Sequence, residues 1–348
     1  MAGVVHCYHR LGRRKYHERM YAERAKPLAQ YTTEELYARF RFGRDDIKYI
    51  ADLVRPKLQH KTKRSHALSV EEQCLIALRF YASGTFYQVV GDNIGPAIAV
   101  SSANFCTWQE SELYWKSDVY RLNRTGESTV PCGETKQSFF LLGNMPNTIG
   151  VIDCTHVHIQ APHEREWQYV NRKGRHSINV QLVAYADLII TNCVVKWPGS
   201  IHDALLLREI PLYRKLQSNR PNGIILGDSA YPLLPWLMTP FPVANTPEQA
   251  GFNSAHCKTR CAIECLNGVL KRCFACLNYL RVEPKVACNI ILACIVLHNI
   301  ATRRNVPLDD IYDGPEPDEV QPEQPPMFAP NEGQTGCVIR DAIVRHYF

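Results

Sequence analysis

No stretch of this chain approaches the ~18 to 20 consecutive apolar residues that a membrane helix needs. The run MAGVVHCYHRLGRRKYHERMY, at its start, holds no apolar core of signal-peptide length. An intracellular protein is therefore expected. Standard zinc-finger spacing is missing too. Cys273 and Cys276 make one C-x2-C, and Cys154, His156 and His158 stand close in sequence, but no matching second pair follows. The 14 cysteines are scattered, and Cys261, Cys265, Cys288 and Cys294 fall in apolar helical runs. They read as small buried hydrophobes in a reducing compartment, not as a disulfide framework.

What is present is an ordinary globular composition, 45% hydrophobic and 21% charged, on a chain of 348 residues. That length allows a large core and two domains. The net charge of +6 is unevenly placed. Residues 1 to 64 carry 16 Lys/Arg against 7 Asp/Glu, whereas residues 305 to 348 carry 2 against 9. A basic front and an acidic tail suit a polyanion partner at the front, and solvated surface charge gives the same pattern.

Residues 6 to 26 read as a mobile arm or frayed helix. Thr32 or Thr33 then caps a helix with Glu35, Leu36 and Phe40, and Ile47, Ile50, Ala51, Val54 and Leu58 form a second helical stripe. HKTKRSHALS is a basic loop. Ser69 and Glu72 form a capping box for a helix that ends at Gly84, and TFYQVVGDNIG and PAIAVSSANFCTWQESELYW follow. Helix, tight turn and helix with basic flanks outline a helix-turn-helix DNA reader, although many small helical domains share that outline. Residues 121 to 147 read as a linker with one short helix.

TIGVIDCTHVHI, from Thr148 to Ile159, is a strand with Ile149, Val151, Asp153, Thr155, Val157 and Ile159 on one face at period two. A carboxylate on such a face is a core defect, a capped polar group or a metal ligand. His156 and His158 fall on the opposite face, as packing or supporting groups. SINVQLVAYAD and ITNCVVKWP are two more strands, joined around Asp187; GSIHDALLLREIPLYRKLQ becomes a helix; NGIILGDSAY is a strand ending in Asp228. LLPWLMTPFP is a Pro-broken loop. A long helix then carries Glu264, and VACNIILACIVLHNIATRRN is an apolar, buried one. After Pro307 the chain is acidic, Pro-rich and expected to be mostly disordered, with VIRDAIVRHYF able to fold.

Three strands, a helix, a fourth strand and then helices is the element order of a ribonuclease-H-like domain. Asp153, Asp228 and Glu264 lie on separate elements of it. On the last of these, Arg260, Glu264, Asn267, Gly268 and Lys271 share one helix face. Two divalent ions ~3.5 to 4 Å apart, held by such carboxylates, can activate water at a phosphodiester. Mg2+ needs few carboxylates, because it takes hard oxygen ligands and keeps some waters. Asp203 either joins such a set or caps the helix it begins. Asn171, Arg172 and Lys173 either bind phosphate or form a plain surface loop.

GVIDCTHVHI, VNRKGRHSINVQLV, WPGSIHD, LLPWLMTP, GDSAYP, NSAHCKTRCAIE and LHNI, in that order, resemble the transposase family of PIF/Harbinger DNA transposons and the nucleases derived from it. The likeness spans roughly residues 33 to 304. It implies an Asp-Asp-Glu (DDE) metal site: Asp153, Asp228 and Glu264 as catalytic ligands, Asp203 as a fourth metal ligand, and two Mg2+ or Mn2+ ions. It further implies DNA as substrate, with Arg172, Lys173, Arg260 and Lys271 as nucleic-acid contacts, a Myb-like DNA-binding partner, and a nuclear as well as cytoplasmic location. Cys154 stands where the family more usually has Gly. Cys265 and Leu266 replace an Arg and an aromatic, Cys273 and Ala275 take positions where basic residues are common, and Pro96 to Tyr120 match poorly.

The expected organisation is a basic arm (1–30), a helical helix-turn-helix-like domain (31–125), a linker (126–145), an α/β ribonuclease-H-like DDE domain (146–304) and an acidic tail (305–348). A transposase-derived, metal-dependent nuclease is the activity this implies. A catalytically idle adaptor that keeps the fold is the alternative, and an active element's transposase a third.

Overall fold

The computed structural model describes residues 26–59, 68–86, 89–90, 132–209, 211–307 and 330–348. Residues 1–25 of the basic arm, the HKTKR loop, the Pro96 to Tyr120 segment and residues 308–329 of the acidic tail lie outside them. The expected helix-turn-helix unit rests largely on those residues.

The first described elements are α1 (Pro27–Gln30), α2 (Thr33–Phe40), α3 (Arg44–Leu58) and α4 (Val70–Ser83). Local chemistry sets their ends. Thr32 and Ser69 each accept a hydrogen bond from the backbone three residues on, and Glu35 and Glu72 reach back to the cap N–H, so both starts are full capping boxes. Gly84 stops α4 in the left-handed conformation, and a Cβ there would press on the Cys276 backbone. These helices share one buried core with the elements that follow. Arg41 donates to the Cys273 carbonyl, and Arg304 pairs with Asp46 at 2.6 Å.

Next come α5 (Cys132–Gly143), β1 (Thr148–His158), α6 (Glu166–Tyr169), β2 (Ser177–Ala184), β3 (Ile190–Pro198), α7 (Asp203–Glu209), α8 (Pro211–Ser218), β4 (Ile224–Leu226) and β5 (Leu237–Met238). The strands form one mixed sheet in the order β3-β2-β1-β4-β5. β1–β2 and β2–β3 are antiparallel, whereas β1–β4 and β4–β5 are parallel. The chain closes with α9 (Pro247–Cys273), a 3-10 turn (Ala275–Asn278), α10 (Pro284–Arg303) and α11 (Pro330–Tyr347).

Several readings change. The short helix expected within residues 121 to 147 is α5, and it is no loose connector: it packs on β1 and α9 with Phe139 fully buried. The helix expected after Ile201 is two helices; Pro211 has no N–H to continue the first and starts the second. The Pro-broken LLPWLMTPFP contains a fifth strand, two residues long, that pairs with β4. The tail helix begins at Pro330, and Arg340 anchors it by stacking 3.8 Å over Phe241 and donating to the Thr239 and Pro240 carbonyls. Ile149 leaves its expected face because β1 bulges against β4 between Thr148 and Gly150, which turns Ile149 toward the second core around Ile152, Leu207, Tyr231 and Trp236.

No unbroken apolar run reaches membrane length, yet α10 is long and apolar enough to cross one, with a mean hydropathy of 1.6 over 18 residues. Its packing is that of a core helix. Asn299 exchanges two hydrogen bonds with the Ile190 backbone, and His298 donates to the Leu188 carbonyl. Those polar groups pin the β2–β3 turn.

His256 on α9 is buried and donates Nε2–H to the Met238 carbonyl at 3.2 Å. Burial pushes its pKa down to about 4, partly offset by the carbonyls of Met238 and Gly227. A depressed pKa means that the native state gains stability above the unfolded value and loses it as pH falls. Between pH ~6.5 and ~4 the wild type should lose up to about 3 kcal/mol through this group. His256→Gln keeps a donor and cannot titrate, so its melting temperature should fall less over that window; parallel profiles would contradict the assignment.

Candidate active site

β1 and β4 run side by side only as far as Val151 and Leu226. Beyond that pair the strands part. Asp153 and Asp228 each stand two residues further on, at the same level of the opening. This is the crevice beyond the carboxyl ends of parallel strands, where α/β sheets commonly bind ligands. Asp228 is held in a tight turn: its Oδ1 accepts from the Ala230 N–H and its carbonyl from the Tyr231 N–H. Gly227 makes the approach possible, since a Cβ there would meet Tyr231, Ile152 and Leu237 at 3.0 to 3.2 Å.

α9 crosses over β1 on the Asp153 side. Its apolar residues Ala262, Ile263, Leu266, Val269 and Leu270 are buried, as the periodicity predicts. Its polar stripe faces the strand. Asn267 Nδ2 donates to Asp153 Oδ2 at 3.0 Å, and Arg260 Nη2 lies 3.6 Å from Asp153 Oδ1. The same guanidinium reaches Glu264 Oε1 at 3.3 Å, one turn on. Lys271 donates to the His156 carbonyl. Arg260 and Lys271, expected at phosphates, are thus engaged with the protein. The Arg260 and Asp153 side chains are only 14% and 17% exposed, against 55% for Glu264. Arg260 Nε and Asn267 Oδ1 are buried with no hydrogen-bond partner.

Asp203 sits across the sheet. It opens α7, and its Oδ1 accepts from Asn179 Nδ2 at 2.8 Å. That face also holds Cys154, whose Sγ is 3.1 Å from the Tyr231 hydroxyl, and Gln181, which donates to the same hydroxyl. A pocket of about 190 Å³ opens there, lined by His156, Asn171, Arg172, Ser200, His202 and Asp203 among others. His156 faces this side, as read from the alternation, and bonds Ser177 Oγ through Nδ1. Arg172 contacts His202 Nδ1, and the exposed Lys173 follows it on a turn that the Asn171 side chain closes.

The structure therefore brings Asp153 and Asp228 to one opening, links Glu264 to Asp153 through Arg260, and sets Asp203 on the other face. Among the described residues, no three His, Cys, Asp or Glu side chains are close enough to hold a metal ion. Burial is the main cause that lifts the Asp153 carboxyl, to about 7. Arg260 opposes the rise, and the charges of Asp228 and Asp203 add to it. Burial also pushes His156 down to about 4, helped by the charges of Lys271, His158, Arg172 and Lys173. Asn267 was visible in the polar stripe of α9, but its partner was not. The Cys154–Gln181–Tyr231 contact had no sequence signal, because it joins three elements.

Residues 152–299 match the family described as DDE superfamily endonuclease. The chain is 35% identical over 305 residues to the protein named "Putative nuclease HARBI1" in Bos taurus, covering 86% of this chain and 85% of that one. The Homo sapiens protein of the same name matches equally well, at 35% over 305 residues. This chain belongs to the family of Harbinger transposase-derived nucleases. Across 92% of both chains it is 32% identical to the Xenopus laevis member. No solved structure matches it. Within this family the mixed five-stranded sheet flanked by helices is the DDE-type domain, and Asp153 and Asp228 stand at its opening.

An acid whose folded pKa is raised favours the native state most below its unfolded pKa, and that contribution is lost as pH rises through ~7. Asp153→Asn removes the charge and leaves Asn267 an acceptor. The metal-free variant should be more stable than wild type by about 1 to 3 kcal/mol at pH 8, with the gain gone near pH 4. Denaturant unfolding at both pH values measures this; a less stable variant at pH 8 would mean that the Arg260 pairing outweighs burial.

Proposed function

We propose that this protein is a transposase-derived, divalent-metal-dependent nuclease that hydrolyses phosphodiester bonds in DNA. The observation that carries the reading is the buried Asp153 carboxylate at the parting of β1 and β4, level with Asp228 and tied to Glu264 by one guanidinium. Asp153, Asp228 and Glu264 are the catalytic residues in this reading, with Asp203 a fourth acidic group whose charge reaches Asp153.

The donor set fits Mg2+ or Mn2+: hard carboxylate oxygens that raise one another's proton affinity and so call for a cation. When bound, one or two such ions supply a nucleophilic water and stabilise the leaving oxygen. Asp153 and Asp228 would hold them, with Glu264 added from α9 when it leaves Arg260. Arg260 now supplies positive charge beside Asp153 and is well placed to turn toward a phosphate. Asn267 fixes the orientation of the Asp153 carboxylate. Arg172 and Lys173, exposed on the other side of β1, are candidates for backbone phosphates, as is the basic segment 1 to 64. A nuclear location, with a cytoplasmic share, and a Myb-like DNA-binding partner belong to the same reading.

The second reading is a catalytically idle, DNA-associated adaptor working with that partner. Arg260 favours it, because a guanidinium lodged between Asp153 and Glu264 keeps the carboxylates neutralised without metal.

Duplex DNA incubated with Mg2+ or Mn2+ should be cut by wild type and not by Asp153→Ala. Glu264→Gln should melt no lower than wild type without metal and gain less from Mn2+, since a ligand stabilises only through its binding to the native state. Equal cutting by wild type and Asp153→Ala would remove the nuclease assignment. An equal Mn2+ gain would remove Glu264 from the site.

A further inference from the structure

Free cysteine is among the most buried of side chains. α9 carries three that are not. Cys257, Cys261 and Cys265 are all exposed, and their i, i+4, i+8 spacing sets them in one row along the helix. This overturns the reading of Cys261 and Cys265 as buried hydrophobes. Cys261 Sγ and Cys265 Sγ lie 3.8 Å apart. Two thiolates on one tetrahedral Zn2+, with bonds of about 2.3 Å, are separated by about 3.8 Å, so the pair already has the bite of a chelate. Cys276 and Cys294 show the same 3.8 Å separation, but both are buried in the core, where no hydrated ion reaches them. Exposure to solvent is what makes the α9 pair different.

We infer that Cys261 and Cys265 form a two-thiolate site for a thiophilic divalent cation such as Zn2+ or Cd2+, beside Glu264 and distinct from Asp153 and Asp228 in its ligands. Binding releases the two thiol protons and forms two metal–sulfur bonds, with no change of oxidation state. Ligand hardness keeps the two sites apart: Mg2+ and Mn2+ take carboxylate oxygens, and thiophilic ions take sulfur. Among the described residues, no third His, Cys, Asp or Glu closes a metal site. The remaining coordination positions go to water or to the same pair on a second copy. A twofold contact between identical faces brings two such pairs together and completes a four-sulfur site.

Titrating the full chain with Cd2+ and following the near-ultraviolet sulfur-to-metal absorption tests this. Wild type should show the band, and Cys261→Ser combined with Cys265→Ser should lose it while keeping the wild-type circular dichroism. Cys257→Ser and Asp153→Ala should retain it, and excess Mg2+ should not suppress it, so the result is independent of the nuclease reading. An end point of one ion per chain gives the water-completed site; one per two chains gives the shared one. No band in wild type, or a band undiminished in the folded double variant, overturns the proposal.

Discussion

One buried negative charge sets the terms for the rest of this fold. Asp153 lies on a strand between two hydrophobic layers, where an isolated carboxylate is costly. The chain meets that cost with an arginine, an asparagine and an opening in the sheet. β1 and β4 pair up to Val151 and Leu226 and then separate, so the carboxylate faces a crevice instead of a packed interior. Arg260 and Asn267 come down on it from α9. What remains is a carboxyl that burial lifts to a pKa of about 7, with Arg260 opposing the rise.

The burden on α9 explains how firmly it is held. Thr246 caps its start, and Pro247 occupies the first turn. Gly143 lets the end of α5 approach so closely that a Cβ there would collide with Thr259. His256 ties it to β5, and Phe252 meets Phe241 and Phe348 edge-to-face, which brings in the residue that follows α11. α11 is thus part of the support for the helix that carries Arg260, Glu264 and Asn267.

Much of the candidate site could be read in the sequence because each carboxylate sits on an element with a clear period: Asp153 on an alternating strand, Glu264 on a helix with a polar stripe. What could not be read is what lies opposite. The stripe says that Arg260 and Lys271 share a face, but only the packed helix shows that this face meets β1. A linear motif carries no information about which side of a sheet a helix returns to, so the Asn179 bond to Asp203 had no sequence signal. β5 escaped notice because two residues between prolines have no period. Cys261 and Cys265 misled because their neighbours are apolar, while the helix turns the thiols outward.

In the proposed nuclease, a divalent ion binds in the opening between β1, β4 and α9. Fe2+ placed there, with ascorbate and peroxide, generates radicals that cut the nearest backbone. Mapping the fragments locates the ion without any need for catalysis. Cuts should fall close to Asp153, Asp228 and the 260–264 turn of α9, be suppressed by excess Mg2+ and be absent in Asp153→Ala. Cuts confined to the Cys257–Cys265 row, or cuts near Asp153 that survive in Asp153→Ala, would contradict it.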